Sequence, residues 1–242
     1  MVDERRTQDY GRWVRALFDR TARDYEWIER CVGFGAGSWY RNDTLRRGGL
    51  RSGMDVLDVG LGTGLLAREA VRLVGDPLRV VGLDPSTGML CAGHITPGIH
   101  LIIGCVERLP LAAGSFDFVS MGYVLRYLRG VPGAFAELYR VLRPGGRVCI
   151  LELSRPGNRM ARLAWGVHIR GLLPVLARLG ARGPETPHMV RYLWETIEES
   201  IAPAAVVRAL EDCGFAAVEH QVDLGIFSAY LGQKPAHRAR AA

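Results

Sequence analysis

One stretch limits what this chain can fold into more than any other: Val56-Leu57-Asp58-Val59-Gly60-Leu61-Gly62-Thr63-Gly64. A short apolar run carries an acid near its end, and a glycine-rich turn then opens a helical pattern. Glycines let the backbone turn tightly and let a ligand lie against it with no Cβ in the way. The first N–H groups of the following helix are free to meet a polar ligand. A nicotinamide-type loop, G-x-G-x-x-G, needs glycine at position 65, where Leu65 stands. A P-loop needs Gly-Lys-Ser/Thr, which is absent.

Around this turn the chain alternates. Met54 to Val59, Val80 to Leu83, Leu101 to Ile103, Phe116 to Met121 and Val148 to Leu153 read as strands. Helical patterns lie between them at 63–74, 86–92 and 131–142. Strand–helix repetition of this kind predicts an α/β fold, a parallel sheet with helices on both faces. Upstream, residues 10–31 read as an amphipathic helix broken by Gly33, Gly35 and Gly37. Downstream, 155–200 reads as helical and basic. A helix over 203–212 and strands over 216–223 and 226–232 follow, with a frayed tail from Pro235.

Composition removes other classes. At 242 residues and 48% hydrophobic, the chain is too apolar for disorder and long enough for one large domain. Five scattered cysteines with no C-x-x-C argue against a disulfide framework or a zinc site, and no metal is expected. Met1 to Arg6 is charged, so no signal peptide is expected. The most apolar stretch, Leu163 to Leu179, is interrupted by His168, Arg170, Pro174 and Arg178 and cannot span a bilayer. A cytoplasmic protein is expected.

Three further pieces accompany the glycine turn. Val80-Val81-Gly82-Leu83-Asp84 ends a strand in an acid that can accept from ribose hydroxyls or cap the next helix. Leu109-Pro110-Leu111 precedes Ser115-Phe116-Asp117-Phe118-Val119. Arg140-Val141-Leu142-Arg143-Pro144-Gly145-Gly146-Arg147 ends a helix in a Pro-Gly-Gly turn. In this order and spacing the four pieces resemble class I S-adenosylmethionine (SAM)-dependent methyltransferases. More narrowly, the chain resembles the UbiE-type C-methyltransferases of ubiquinone and menaquinone biosynthesis, from about Phe18 to Lys234. Leu125-Arg126, Leu151-Glu152-Leu153-Ser154-Arg155-Pro156 and Arg191-Tyr192-Leu193 carry the narrower likeness.

The resemblance implies a Rossmann-like, mostly parallel seven-stranded sheet with a helical cap inserted after strand five. It implies an N-terminal helical segment, 1–45, over the active site, a methyltransferase domain over 46–234 with the cap at 155–200, and a tail at 235–242. It implies SAM as cofactor and S-adenosylhomocysteine as product. Asp58, Gly60, Gly62 and Gly64 would surround the methionine part, Asp84 would hold the ribose, and Met89 would pack near the adenine. The family's acid after strand three is replaced here by Cys105, at best a weak acceptor, beside Val106, whose N–H could meet the ring. Tyr127 stands where the family has Asn, and Val190 where it has Tyr.

The implied reaction moves a methyl group to a ring carbon of a prenylated quinol. Alternatives are a methyltransferase for another small aromatic, lipid or amine acceptor in secondary metabolism, and a SAM-binding module without transfer activity. Arg126 is the family's catalysis-associated arginine. Tyr123 could donate to the acceptor, and Glu152 could accept a proton or merely pair with an arginine. No motif position supports His168 or His188 as a base. Tyr192 and Trp194 could wall an aromatic ring or belong to the core.

Charge is unevenly placed. The chain has net charge +6, and all but one of its basic residues are arginine. Residues 155–191 hold seven arginines (Arg155, Arg159, Arg162, Arg170, Arg178, Arg182, Arg191) against one acid, Glu185; elsewhere the charges balance. Interleaved with Leu, Val, Ile and Trp, they suit an element lying on an anionic membrane surface, or a lid with a solvated arginine face, and not a nucleic-acid platform. The expected partners are a hydrophobic aromatic acceptor and peripheral contact with the inner face of the membrane. The oligomeric state stays open, a homodimer included.

Overall fold

The structure is a computed structural model, and it describes residues 4–128, 130–180 and 183–236. The tail beyond 236 and Arg182 of the cap lie outside the described residues.

Seven strands form one sheet: β1 (Val56–Val59), β2 (Val80–Asp84), β3 (His100–Ile103), β4 (Phe116–Gly122), β5 (Leu142–Leu153), β6 (Ala216–Asp223) and β7 (Phe227–Gln233). Their order is β3-β2-β1-β4-β5-β7-β6. The first five are parallel, while β7 runs antiparallel to β5 and to β6. The order reverses between β1 and β4, and a crevice opens there at the carboxyl ends of the strands. β1 and most of β4 are wholly buried, as central strands read from continuous apolar runs should be.

Helices cover both faces. α1 (Glu4–Thr21), α2 (Tyr25–Val32), α3 (Gly37–Arg47) and α4 (Leu65–Val74) belong to one side, with α5 (Thr87–Ala92) after β2. α6 (Val131–Val141) and α10 (Pro203–Asp212) pack on the other, where Phe135, Leu138, Val206 and Leu210 are completely buried. The cap after β5 is α7 (Arg159–Val167), α8 (Leu173–Gly180) and α9 (Thr186–Glu198). The sheet and the inserted cap agree with the fold that the resemblance implied.

Three local readings differ. The single helix expected over 10–31 is two, α1 and α2, joined by a short 3-10 turn at Ala22–Asp24. The glycines after it do not all act as breakers, since Gly37 is the first residue of α3. The Pro-Gly-Gly segment is a bulge inside β5, because Leu142 already pairs with Phe116 before the register resumes at Arg147. In the cap, a π-helical turn at His168–Leu172 precedes Pro174. It lets α8 start next to a residue that cannot donate its N–H.

Candidate active site

The crevice at the strand ends is a cavity of about 1020 Å³. Its floor is the glycine turn. Gly60, Gly62 and Gly64 all have positive φ, at 71°, 58° and 84°. Gly60 is obligatory: a Cβ there would meet Val124 Cγ2 at 2.1 Å. Gly60 and Gly62 line the cavity, whereas Gly64 does not. Gly64 instead starts α4 and packs against Ile95.

Asp84 ties the loop together. Gly62 N–H donates to its Oδ2 at 2.8 Å and Ser86 N–H to its Oδ1 at 2.7 Å. The carboxylate still lines the cavity, with lone pairs left for a ligand. Asp58 lies beneath the loop, where Ser120 Oγ donates to its Oδ1 at 2.6 Å. Its Oδ2 is buried with no hydrogen-bond partner among the described residues, as is the Thr63 hydroxyl. Burial pushes the Asp58 carboxyl up to about 7, opposed by the Ser120 hydrogen bond.

Met89 and Val106 are buried against the cavity, and Cys105 lines it with its thiol pushed up by burial. The helix α1 forms the opposite wall with Val14, Arg15 and Phe18. Asp19 anchors it, accepting from Ser86 Oγ at 2.5 Å and from Gly88 N–H at 2.8 Å at the start of α5. Nothing in the local pattern of α1 announces this role, because its partners lie 67 and 69 residues away.

Past β4 the wall turns aromatic. Tyr127 packs edge-on to Phe18 with centroids 5.3 Å apart and stacks on Tyr192 at 6.0 Å. Tyr192 is held by its hydroxyl to Tyr10, 2.7 Å away, and sits behind the wall, while Trp194 packs on Trp165 in the cap. Tyr123 lies on the cavity in a left-handed backbone conformation, φ 61°, which a tyrosine adopts only where its surroundings compel it. Its hydroxyl is buried and has no partner among the described residues, and burial raises its pKa.

Arg126 and Glu152 are a buried ion pair, with 2% and 5% of their side chains exposed. Arg126 Nη2 donates to Glu152 Oε1, which also accepts from Leu153 N–H at 2.8 Å, and the Arg126 N–H reaches Oε2 at 3.3 Å. Arg126 Nε and Nη1 have no partner among the described residues. Burial alone would lower the guanidinium pKa; Glu152, with Tyr127 and Tyr25, raises it instead. Arg126 is therefore a fixed cation and not a base. Neither it nor Glu152 lines the large cavity. Arg126 lines a smaller space together with Tyr123 and Tyr127, and both Arg126 and Glu152 line another beside Leu125 and Tyr230.

His168 is occupied elsewhere. Its Nε2 lies 3.0 Å from the Cys31 carbonyl and its ring stacks on Phe34. His188 packs edge-on to Trp13. Among the described residues no cluster of His, Cys, Asp or Glu could hold a metal ion.

Comparison with known proteins follows the same lines. The model of the ubiE/COQ5 methyltransferase family matches residues 3–234. The demethylmenaquinone methyltransferase of Symbiobacterium thermophilum is 29% identical, over 94% of each chain. The ubiquinone/menaquinone biosynthesis C-methyltransferase UbiE of Hahella chejuensis is 31% identical, over 91% of each chain. Among solved structures, a SAM-dependent methyltransferase from Aquifex aeolicus superposes with a TM-score of 0.57 at 20% identity, over 80% of this chain and 89% of that one. The Haemonchus contortus phosphoethanolamine N-methyltransferase 2 in complex with S-adenosyl-L-methionine gives 0.62 at 18% identity, over 91% of this chain and 60% of that one. The chain belongs to the ubiE/COQ5 methyltransferase family and is a methyltransferase with the SAM-dependent fold.

Proposed function

We propose that this protein moves the methyl group of SAM to a ring carbon of a prenylated quinol. The observation that carries the reading is one continuous cavity. At one end lie the Gly60–Gly62 loop and Asp84; at the other lie Phe18, Tyr25, Tyr123 and Tyr127. The residues fit the cofactor: the Asp84 carboxylate, fixed by Gly62 and Ser86, keeps lone pairs on the cavity for ribose hydroxyls, and the Asp58 carboxyl beneath the loop favours a cationic ligand above it.

Bound SAM supplies an already activated methyl group. The chain's own contribution is to hold the reacting groups in line and to keep water out. Asp84 and Val106 address the ribose and adenine, with Met89 packed beneath. Cys105 replaces a carboxylate there, which removes one acceptor and leaves the pocket intact. The aromatic wall takes the acceptor ring by apolar contact. Arg126, held rigid by Glu152 in the small space behind Tyr123 and Tyr127, stabilises through water the negative charge on the acceptor oxygen, the form in which a quinol ring carbon is most nucleophilic. Label transfer from SAM to a reduced demethylquinol, and not to its oxidised quinone, tests the reading. Tyr127, wedged between Phe18 and Tyr192, favours as a second reading a smaller aromatic acceptor.

Asp58 gives the cofactor site a pH dependence. Its carboxyl ionises only near pH 7, and the charged form favours a cationic ligand above it. SAM affinity should therefore rise as pH increases through about 7 and fall below it. Asp58→Asn should bind more weakly and show a flat profile by calorimetry. A wild type with a flat profile would remove Asp58 from this role.

The cap supports access to a lipid-dissolved acceptor. Trp165, Ile169, Leu173 and Ala177 face inward and are buried. The opposite side is apolar too: Met160, Leu163 and Val167 are 72%, 63% and 62% exposed, and Leu172 and Val175 continue the stripe. A helix apolar on both faces is buried on both in its working environment. Exposed Arg159, Arg162, Arg170 and Arg178 flank the stripe, which suits an anionic bilayer surface. No helix among the described residues is long and apolar enough to cross a membrane. Replacing Arg162, Arg170 and Arg178 by Gln should weaken binding to anionic vesicles about 100-fold, from roughly 1 kcal/mol per arginine. Unchanged binding would return them to a lid face, where Arg162 pairs with Glu198 and Arg170 lies over Trp194.

A further inference from the structure

Behind the aromatic wall lies a second cavity of about 30 Å³. Tyr25, Tyr123 and Tyr127 line both it and the large one. It is too small for a ring and large enough for water. Its lining is polar in a specific way. The Tyr123 hydroxyl and Arg126 Nε and Nη1 are buried there without partners among the described residues. The remaining charged group on its wall is Glu29 of α2.

Glu29 is built into place. Its Oε1 accepts from Arg41 Nη1 at 2.5 Å, and Arg41 is itself buried on α3. The pair lies directly on Gly37: a Cβ there would come within 2.0 Å of Glu29 Oε1 and 2.9 Å of Arg41 Nη1. Among the described residues no hydrogen bond occupies Oε2 as Arg41 occupies Oε1. The carboxylate thus keeps one oxygen for the cavity. Glu152, the other carboxylate near Arg126, has both oxygens engaged.

We propose that Glu29 is the proton acceptor for the ring hydroxyl of the methyl acceptor, working through water in the small cavity between Tyr123 and Arg126. This rests on the quinol reading above. The acceptor O–H bond breaks, its electron pair stays on the ring oxygen, and the proton reaches Glu29 Oε2. Arg126, on the same small cavity, then stabilises the oxyanion through that water. The groups that set the charge balance are Arg41 on α3, Tyr25 on α2, Tyr123, Arg126 and Tyr127 after β4, and Glu152 on β5. From α9 and β7 only Leu193 and Phe227 reach the cavity. Two cations and two carboxylates make the cluster neutral, so one proton can be taken up without leaving an uncompensated anion inside.

Two measurements test this, one without SAM. 4-Nitrophenol is titrated into the enzyme at a pH where the free phenol is still protonated. The wild type and Glu29→Asp should show the phenolate band on binding, and Glu29→Gln should bind the phenol without it. Equal bands in all three would overturn the assignment. In turnover with a reduced demethylquinol, Glu29→Gln should lose about 100-fold in kcat. The rising limb of its pH profile should move to higher pH, where the acceptor ionises without a base, so the deficit should shrink as pH rises, while SAM affinity stays at the wild-type level. An unchanged pH profile would also overturn the assignment. If the wild type gave the phenolate band yet methylated no quinol, the acceptor reading would fail instead.

Discussion

Gly60→Ala should weaken cofactor binding strongly in a protein that still folds. The added Cβ meets Val124 Cγ2 at 2.1 Å, and the backbone at φ 71° is one that alanine adopts only under strain. Strain of this kind costs about 1–3 kcal/mol, and relief requires the loop or the Val124 side chain on the cavity wall to move. Moving the loop displaces Gly62, whose N–H holds Asp84 in position. A loss of about 5- to 150-fold in SAM affinity follows, since about 1.4 kcal/mol corresponds to a factor of ten. Gly145→Ala is the control. It also has positive φ, 83°, but nothing lies within 4 Å of its Cβ. It should lower thermal stability slightly and leave SAM affinity unchanged. Calorimetric titration of both variants checks this; wild-type affinity in Gly60→Ala would mean the loop does not contact the cofactor.

Arg126→Met should be the most destabilising single change near the site. It leaves Glu152 buried at 5% side-chain exposure with no cation beside it. Removing one partner of a buried pair costs about 3–5 kcal/mol, while replacing both by apolar groups of similar volume is close to neutral. The double variant Arg126→Met/Glu152→Met should therefore regain most of the stability in denaturant unfolding. It should not regain methyl transfer, because no cation then lies behind the tyrosine wall to stabilise the acceptor oxygen. Recovery of activity with stability would reduce Arg126 to a structural role.

How much of this was legible in sequence depended on how local each interaction is. The glycine turn, the strand-end acid and the first four parallel strands follow from contiguous patterns, and the structure realises them within a residue or two; β5 starts six residues before the apolar run read at Val148, because its Pro-Gly-Gly bulge looks like a turn. Gly37 was misread because helix breaking is a local argument, while its actual constraint is the Glu29–Arg41 pair pressed against its Cα. Arg126 and Glu152 could each be singled out, but their pairing across 26 residues could not. Arg15, Asp19 and Glu29 carried no signal at all. On amphipathic helices a charged residue looks like a solvated face until the fold shows what it meets. The excess of arginine over 155–191 was visible as composition; that the cap's outer stripe is apolar as well required the packing of α7 and α8 on α9.

The central claim is methyl transfer to a ring carbon of a reduced prenylated quinone. The most direct measurement supplies methyl-¹³C SAM with reduced demethylmenaquinone, or with the corresponding benzoquinol, and locates the label in the product by NMR. A methyl on the ring carbon, absent with the oxidised quinone and much reduced with Gly60→Ala, is the predicted result. A methyl on oxygen, or no label on either quinol while another aromatic, lipid or amine becomes labelled, would contradict it.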